Sequence, residues 1–247
     1  MDLKIRDVAQ LLSVSEKTIR RWLVEGKIPA YRLNAQYRFS RIEIENWMMS
    51  CKLGSNLSKV SLREDLETAG DSDTESSQDS KQLKLGIQQF SFYRAVNRGG
   101  VLLHVEGSSK EEIITNAMEY VAPLLGRDRE MLTELLLDRE KLMSTGINHG
   151  VAVPHSRELV FEGDYDVVVV LFPKVPIEYG ALDQEPVHTL FFLFAGGDKR
   201  HLHLLAKIAH FSGDKEAQNF LQKRPDKHAL LEYLKNWESE IEAVRCV

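Results

Sequence analysis

One short stretch of the 247-residue chain gathers the residue types of anion binding and group transfer: Arg139-Glu140, then Ser144-Thr145-Gly146-Ile147, then Gly150-Val151-Ala152-Val153-Pro154-His155. Imidazole is nucleophilic and titrates near neutral pH, so His155 can attack a phosphoryl group and later release it. Gly146 and Gly150 leave backbone N–H groups approachable by an anion, and Ser144 and Thr145 add hydroxyl donors. Arg139 carries the planar fork that suits phosphoryl oxygens. Forty-six residues beyond His155, His201 falls in the first turn of an expected helix, where the dipole favours an anion. A lone histidine after a strand is more often structural; the surrounding set raises His155 above that background. His149, His188, His203 and His210 have no cysteine among them and form no His-Glu-x-x-His pattern, so neither metal nor cofactor is expected. A serine nucleophile would want a Gly-x-Ser-x-Gly turn, which is absent.

The elements that must position these groups alternate between helix and strand. Val101 to His104, Val151 to Val153, Val167 to Leu171 and Val187 to Phe194 read as strands. Pro154 ends one of them, because proline cannot donate to a ladder, and this leaves His155 at a strand end. Ser108 to Glu112 reads as a capped helix start, followed by Ile113, Ile114, Ala117, Met118 and Val121 at helical spacing. A second helix runs through Met131, Leu132, Leu135 and Leu136 to Glu140. Asp198 is placed to cap a third, with Leu202, Leu205, Ile208 and Ala209 on its apolar face, and two more follow near 214–223 and 227–242. This alternation argues for an α/β domain of three layers with a mixed sheet, over residues 88–242.

Residues 1–50 form a separate small unit, with nine basic residues against six acidic ones in a chain whose net charge is −5. A helix over about 5–12 is followed by the break Ser13-Val14-Ser15. Ser15 is a good N-cap for a second helix ending at Gly26, with Ile19, Trp22 and Leu23 inward and Lys17, Thr18, Arg20 and Arg21 mostly outward. Tyr31-Arg32-Leu33 and Tyr37-Arg38-Phe39 suggest a hairpin around Asn34-Ala35-Gln36, and Ile42, Ile44, Trp47 and Met48 fit a closing helix. Residues 51–87 read as a flexible, disordered acidic linker: Glu64 to Gln78 holds six acidic residues and no Lys or Arg, and no aromatic occurs between Met48 and Gln89. No apolar run approaches the roughly 20 residues of a membrane span, and no secretory signal opens the chain. Cys51 and Cys246 read as cytosolic thiols.

The N-terminal unit resembles the excisionase-like, MerR-type winged-helix DNA-binding domain. The resemblance rests on Val8 to Leu12, Val14-Ser15, Thr18 to Trp22, Gly26 to Ala30 and Tyr37-Arg38-Phe39. It implies that the second helix enters the major groove and that the hairpin leans on phosphates, with Lys17, Thr18, Arg20, Arg21, Tyr37 and Arg38 as the DNA-binding set. One such unit should bind weakly, so a homodimer or larger assembly is expected for specific binding.

The later segments resemble the type-2 enzyme IIA domain of the bacterial sugar phosphotransferase system, in its fructose, mannitol and nitrogen-regulatory branch. Arg-Glu, Ser-Thr-Gly-Ile and Val-Ala-Val-Pro-His fall in order, followed by Gly180 to Asp183, Pro186-Val187 and His201-Leu202. Asn148-His149 departs from the usual Gly-Asn. The resemblance implies that His155 is the phosphoryl acceptor, that Arg139 and His201 line its pocket, and that a histidine-containing phosphocarrier protein is the donor.

The resulting expectation is a bacterial cytoplasmic phosphoryl carrier, rather than a turnover enzyme, that couples phosphotransferase-system state to DNA binding or transcription. The alternative is a carrier for a sugar permease whose N-terminal unit is a protein-docking module. Coupling could run by two routes. The acidic linker could be held near Arg139 and Arg157 and expelled on phosphorylation, or the basic face carrying Arg20, Arg21 and Arg38 could be drawn into the phosphorylated pocket.

Overall fold

The computed structural model describes residues 2–12, 14–33, 36–50, 91–156 and 165–245. The expectations for the linker, for the turn at Asn34-Ala35, for Arg157 and for both cysteines lie outside the described residues.

In the N-terminal unit, α1 (Ile5–Leu12) and α2 (Glu16–Val24) are followed by the hairpin strands β2 (Tyr31–Leu33) and β3 (Gln36–Ser40), then α3 (Arg41–Ser50). Ser15 caps α2 as expected: its Oγ accepts from Thr18 N at 3.1 Å. A strand not foreseen, β1 (Asp2–Leu3), pairs antiparallel with β3 and gives the order β1-β3-β2. Val8, Ile19, Trp22, Phe39 and Ile44 form this unit's own core.

The second unit opens with α4 (Ser91–Gly99), which was also not foreseen. Phe92, Ala95, Val96 and Gly99 make its buried stripe. Its first N–H groups are satisfied from far away in sequence: Phe92 N and Tyr93 N donate to the Glu238 carboxylate at 3.2 and 2.9 Å. At its end a Cβ on Gly99 would lie 2.1 Å from the Val168 carbonyl oxygen, so only glycine lets the helix sit this close to the sheet.

Next come β4 (Val101–Val105), α5 (Lys110–Leu125), α6 (Arg129–Leu142), β5 (Val151–Ala152), β6 (Asp166–Pro173) and β7 (Thr189–Ala195). The chain finishes with α7 (Asp198–Gly213), α8 (Lys215–Gln222) and α9 (Lys227–Arg245). The sheet order is β4-β6-β7-β5, with β4/β6 and β5/β7 parallel and β6/β7 antiparallel, so the sheet is mixed.

Every residue of β6 and β7 is buried, as continuous apolar strands covered on both faces must be. Strand alternation then splits the core. Val168, Val170, Phe191 and Leu193 pack with α4, α7, α8 and α9, while Val167, Val169, Leu190 and Phe192 pack with α5 and α6. Each such side chain contributes about 1.5–3 kcal/mol on burial. The result is the expected three-layer α/β arrangement. Among the described residues, no helix is long and apolar enough to cross a membrane.

The two units touch. α1 and α3 pack on α7, and Leu11, Leu12 and Met48 lie against the core on that side of the sheet.

Candidate functional site

His155 follows β5, where the chain is still tied to β7: Leu193 N donates to Pro154 O at 3.0 Å. Its side chain is only 1% exposed. Nδ1 lies 2.7 Å from the Val153 carbonyl oxygen. A carbonyl only accepts, so Nδ1 carries the proton and the lone pair of the neutral ring is on Nε2. His201 sits in the first turn of α7 with its ring centroid 5.1 Å from that of His155. The start of α7 is fastened to the sheet through Asp166, whose carboxylate accepts from Gly196 N and pairs with Arg200 Nε, each at 3.1 Å. The expected cap is different: Gly197 precedes the helix, and Asp198 turns its carboxylate to another partner.

That partner is Arg41 of α3. Its Nη2 reaches Asp198 Oδ1 at 2.8 Å, and its Nε reaches Glu45 Oε1 at 3.0 Å, one helical turn along. The second oxygen of Glu45, Oε2, lies 3.6 Å from His155 Nε2. Glu45 is fully buried. The next residue, Asn46, accepts from Arg139 Nη2 at 3.4 Å and touches Met143. Helix α3 therefore lies over both His155 and Arg139 and closes the pocket with an acidic side chain. The side chain seated beside His155 is the acidic Glu45, while Lys17 and Arg20 are exposed. Sequence reasoning missed Arg41, Glu45 and Asn46. Their only local signal, an Arg–Glu pair four residues apart, is that of an ordinary solvated helix face.

The loop before β5 supports the site and does not aim donors at it. Thr145 Oγ1 donates to Glu140 Oε2 at 2.6 Å, and Thr145 N donates to Glu140 Oε1 at 3.0 Å. Tyr179 Oη donates to the same carboxylate at 3.2 Å, its own ionisation pushed far up by burial and the Glu140 charge. Ser144 Oγ donates to Tyr179 O at 3.3 Å and accepts from Gly146 N at 3.1 Å. The expected hydroxyl and Gly146 N–H donors are thus already used inside the loop. Close approach is what Gly146 and Gly150 provide: a Cβ on Gly146 would lie 2.7 Å from Ala181 Cα, and one on Gly150 2.4 Å from the His188 ring. Arg139 is buried and donates through Nη1 to Met143 O at 2.8 Å.

Charge in the closed pocket follows from this packing. Burial would push the Glu45 carboxyl up, but the neighbouring His155 and His201 rings and the bond to Arg41 outweigh it and hold Glu45 at about 2. Burial lowers His201 to about 3, so its ring is neutral at physiological pH. Burial opposes the Arg41 charge, yet its bonds to Asp198 and Glu45 raise it overall. Glu45 Oε2, His155 Nε2 and His201 Nε2 are buried with no hydrogen-bond partner, and each of the three side chains offers a ligand atom within 4.8 Å of the others.

On the N-terminal unit, Lys17, Arg20 and Tyr37 are exposed and Arg21 and Arg38 are half-buried. Thr18 shares its hydroxyl with the Ser15 cap at 2.9 Å, and Arg38 is held along the hairpin by Gln36 Oε1 at 2.8 Å.

Residues 95–237 match the phosphoenolpyruvate-dependent sugar phosphotransferase system EIIA 2 family, and residues 3–52 match a helix-turn-helix domain. A nitrogen regulatory protein of Pseudomonas aeruginosa is 33% identical over 135 residues, 53% of this chain and 86% of that protein. Another, from Klebsiella oxytoca, is 36% identical over 115 residues, 45% of this chain and 69% of that protein. The crystal structure of nitrogen regulatory protein IIA-Ntr from Neisseria meningitidis superimposes with a TM-score of 0.50 at 26% identity, over 56% of this chain and 94% of that one. With more than half of its length matched, and a helix-turn-helix domain ahead of the match, this chain belongs to the phosphotransferase-system EIIA type-2 family, among relatives named nitrogen regulatory proteins.

Proposed function

We propose that this protein is a cytoplasmic phosphoryl-carrier regulator, phosphorylated on His155 by a histidine-containing phosphocarrier protein. Residues 88–242 carry the phosphoryl group, and residues 1–50 bind DNA. The observation that carries the reading is the state of His155: Nδ1–H is committed to the Val153 carbonyl, and Nε2 is left as the bare nucleophile. Nε2 attacks the donor's phosphorus in line. The new N–P bond forms as the donor's N–P bond breaks, and the donor ring keeps that electron pair. The Val153 carbonyl then stabilises the positive ring that results. Arg139 and His201 supply donors to the phosphoryl oxygens once α3 has moved away.

Coupling follows from Glu45. Its Oε2, 3.6 Å from Nε2, occupies the space a phosphoryl group on Nε2 would fill, and it carries the same sign of charge. Docking of α3 and phosphorylation of His155 exclude one another, so phosphorylation frees the N-terminal unit. The protein-docking reading of that unit is favoured by this same contact, with the chain's own pocket as the docked surface.

The test is labelling with phosphoenolpyruvate, enzyme I and the phosphocarrier, followed by detection of acid-labile phosphate. His155→Ala should abolish label and His149→Ala should keep most of it. Arg139→Ala and His201→Ala should slow transfer by about 10²-fold, the scale of losing one preorganised donor. Full labelling of His155→Ala would overturn the assignment.

A further inference from the structure

We infer that Glu45, His155 and His201 form an interdomain site for a divalent transition cation of the zinc type, which clasps the N-terminal unit onto the unphosphorylated pocket. The closed pocket holds an electrostatic mismatch. With its proton on Nδ1, His155 presents a lone pair at Nε2 to a carboxylate oxygen 3.6 Å away, and both atoms are buried. Two acceptors facing each other in a low-dielectric interior repel unless something positive lies between them. A proton on Nε2 would satisfy that one pair. It would leave the third buried atom, His201 Nε2, without a partner. A cation satisfies all three at once.

The donor set fits the zinc type. Two imidazole nitrogens and one carboxylate oxygen are borderline ligands that favour zinc, cobalt or nickel over magnesium or calcium, which prefer all-oxygen sites. Ligands around a tetrahedral zinc stand about 3.4 Å apart. The His155–Glu45 separation is close to that, and the remaining pairs lie within 4.8 Å. Side-chain movement of about 1 Å closes the set and leaves a fourth position for water. The outer contacts are those such a site needs. Val153 O fixes the His155 tautomer, Arg41 holds Glu45 through the oxygen not used for the metal, and Asp198 balances Arg41. Two ligands come from one unit and one from the other, so the ion binds strongly only when α3 is docked. The site sits on the proposed phosphoryl acceptor, but its test reads metal uptake and does not depend on phosphoryl transfer.

The experiment is calorimetric titration of the full chain, in a Cys51→Ser/Cys246→Ser background that removes thiol ligands, with zinc chloride and with magnesium chloride. One zinc per chain and no magnesium uptake are expected. Glu45→Gln and His201→Gln should each weaken zinc binding by roughly 100-fold, while Glu111→Gln on the exposed start of α5 should not. Cobalt loading supplies a readout on the unaltered ligand set: tetrahedral visible bands, with paramagnetic broadening of the His155 and His201 ring signals. Equal zinc affinity in Glu45→Gln, no stoichiometric zinc uptake, or cobalt that leaves both ring signals sharp would each overturn the inference.

Discussion

Replacing Arg41 by alanine should make His155 easier to phosphorylate in the full chain, although Arg41 lies 114 residues away in sequence. In the closed arrangement His155 is 1% exposed and no donor protein can reach Nε2, so transfer runs only through the fraction of molecules in which α3 has lifted away. Arg41, on α3, holds that helix against α7 through its 2.8 Å bond to Asp198, a partly exposed pair. Such a pair contributes about 0.2–1 kcal/mol, so alanine should weaken closure by about 1 kcal/mol or less. If the closed form dominates, that raises the open fraction, and the transfer rate at low donor concentration, by up to about 5-fold. The assay is quenched-flow phosphotransfer from limiting labelled phosphocarrier, alongside the isolated EIIA unit as the fully open reference. An Arg41→Ala protein labelled no faster than wild type, with the isolated unit also no faster, would refute closure.

Three further outcomes follow from particular contacts. Thr145→Val removes a 2.6 Å donor from the buried Glu140 carboxylate and should cost about 1–3 kcal/mol in a denaturant titration, while folded protein still takes label; lost labelling at full stability would make Thr145 a pocket donor after all. Duplex DNA binding by the full chain should weaken in the Arg20→Ala/Arg21→Ala double variant and fall as salt rises, read by fluorescence anisotropy; salt-independent binding would remove the phosphate contacts from the reading. His201 is held at about 3 in the closed form against an ordinary 6.5, so between those values the open form binds the extra proton. The stability that neutral His201 gives to closure is complete above about 6.5 and lost as pH falls toward about 3, by at most about 1.4 kcal/mol per pH unit. Interdomain energy transfer should therefore drop more steeply on acidification in wild type than in His201→Gln, and equal slopes would contradict the burial of His201.

The sequence was most informative where structure is local. Ser15 and Ser109 cap their helices because the capping oxygen and the N–H it accepts are three residues apart. The apolar runs of β6 and β7 announce strands covered on both faces. His155, His201 and Arg139 were legible as chemistry-bearing residues in an ordered set of motifs. What escaped is non-local. The first N–H groups of α4 are taken up by Glu238, far away in sequence. Asp198 has a capping residue's type, yet Gly197 takes the cap position and the Asp198 carboxylate goes to Arg41. Ser144 and Thr145 carry hydroxyls that an anion could use, but Glu140 and Tyr179 take them, and nothing in the spacing forecasts that. Glu45 is the hardest case, since its burial arises only when one folded unit is laid on another.

The Glu238 contact also sets an order of events during synthesis. Glu238, which takes up the first N–H groups of α4, lies in α9, so α4 cannot be finished until α9 has left the ribosome. The N-terminal unit has its own core within 50 residues and can fold long before that. Its docking surface, α7, also emerges late. Every newly made molecule therefore passes through an interval in which a finished helix-turn-helix unit precedes an unfinished partner. Until α7 and the helices packed around it have been made, α3 has no folded surface to lie on.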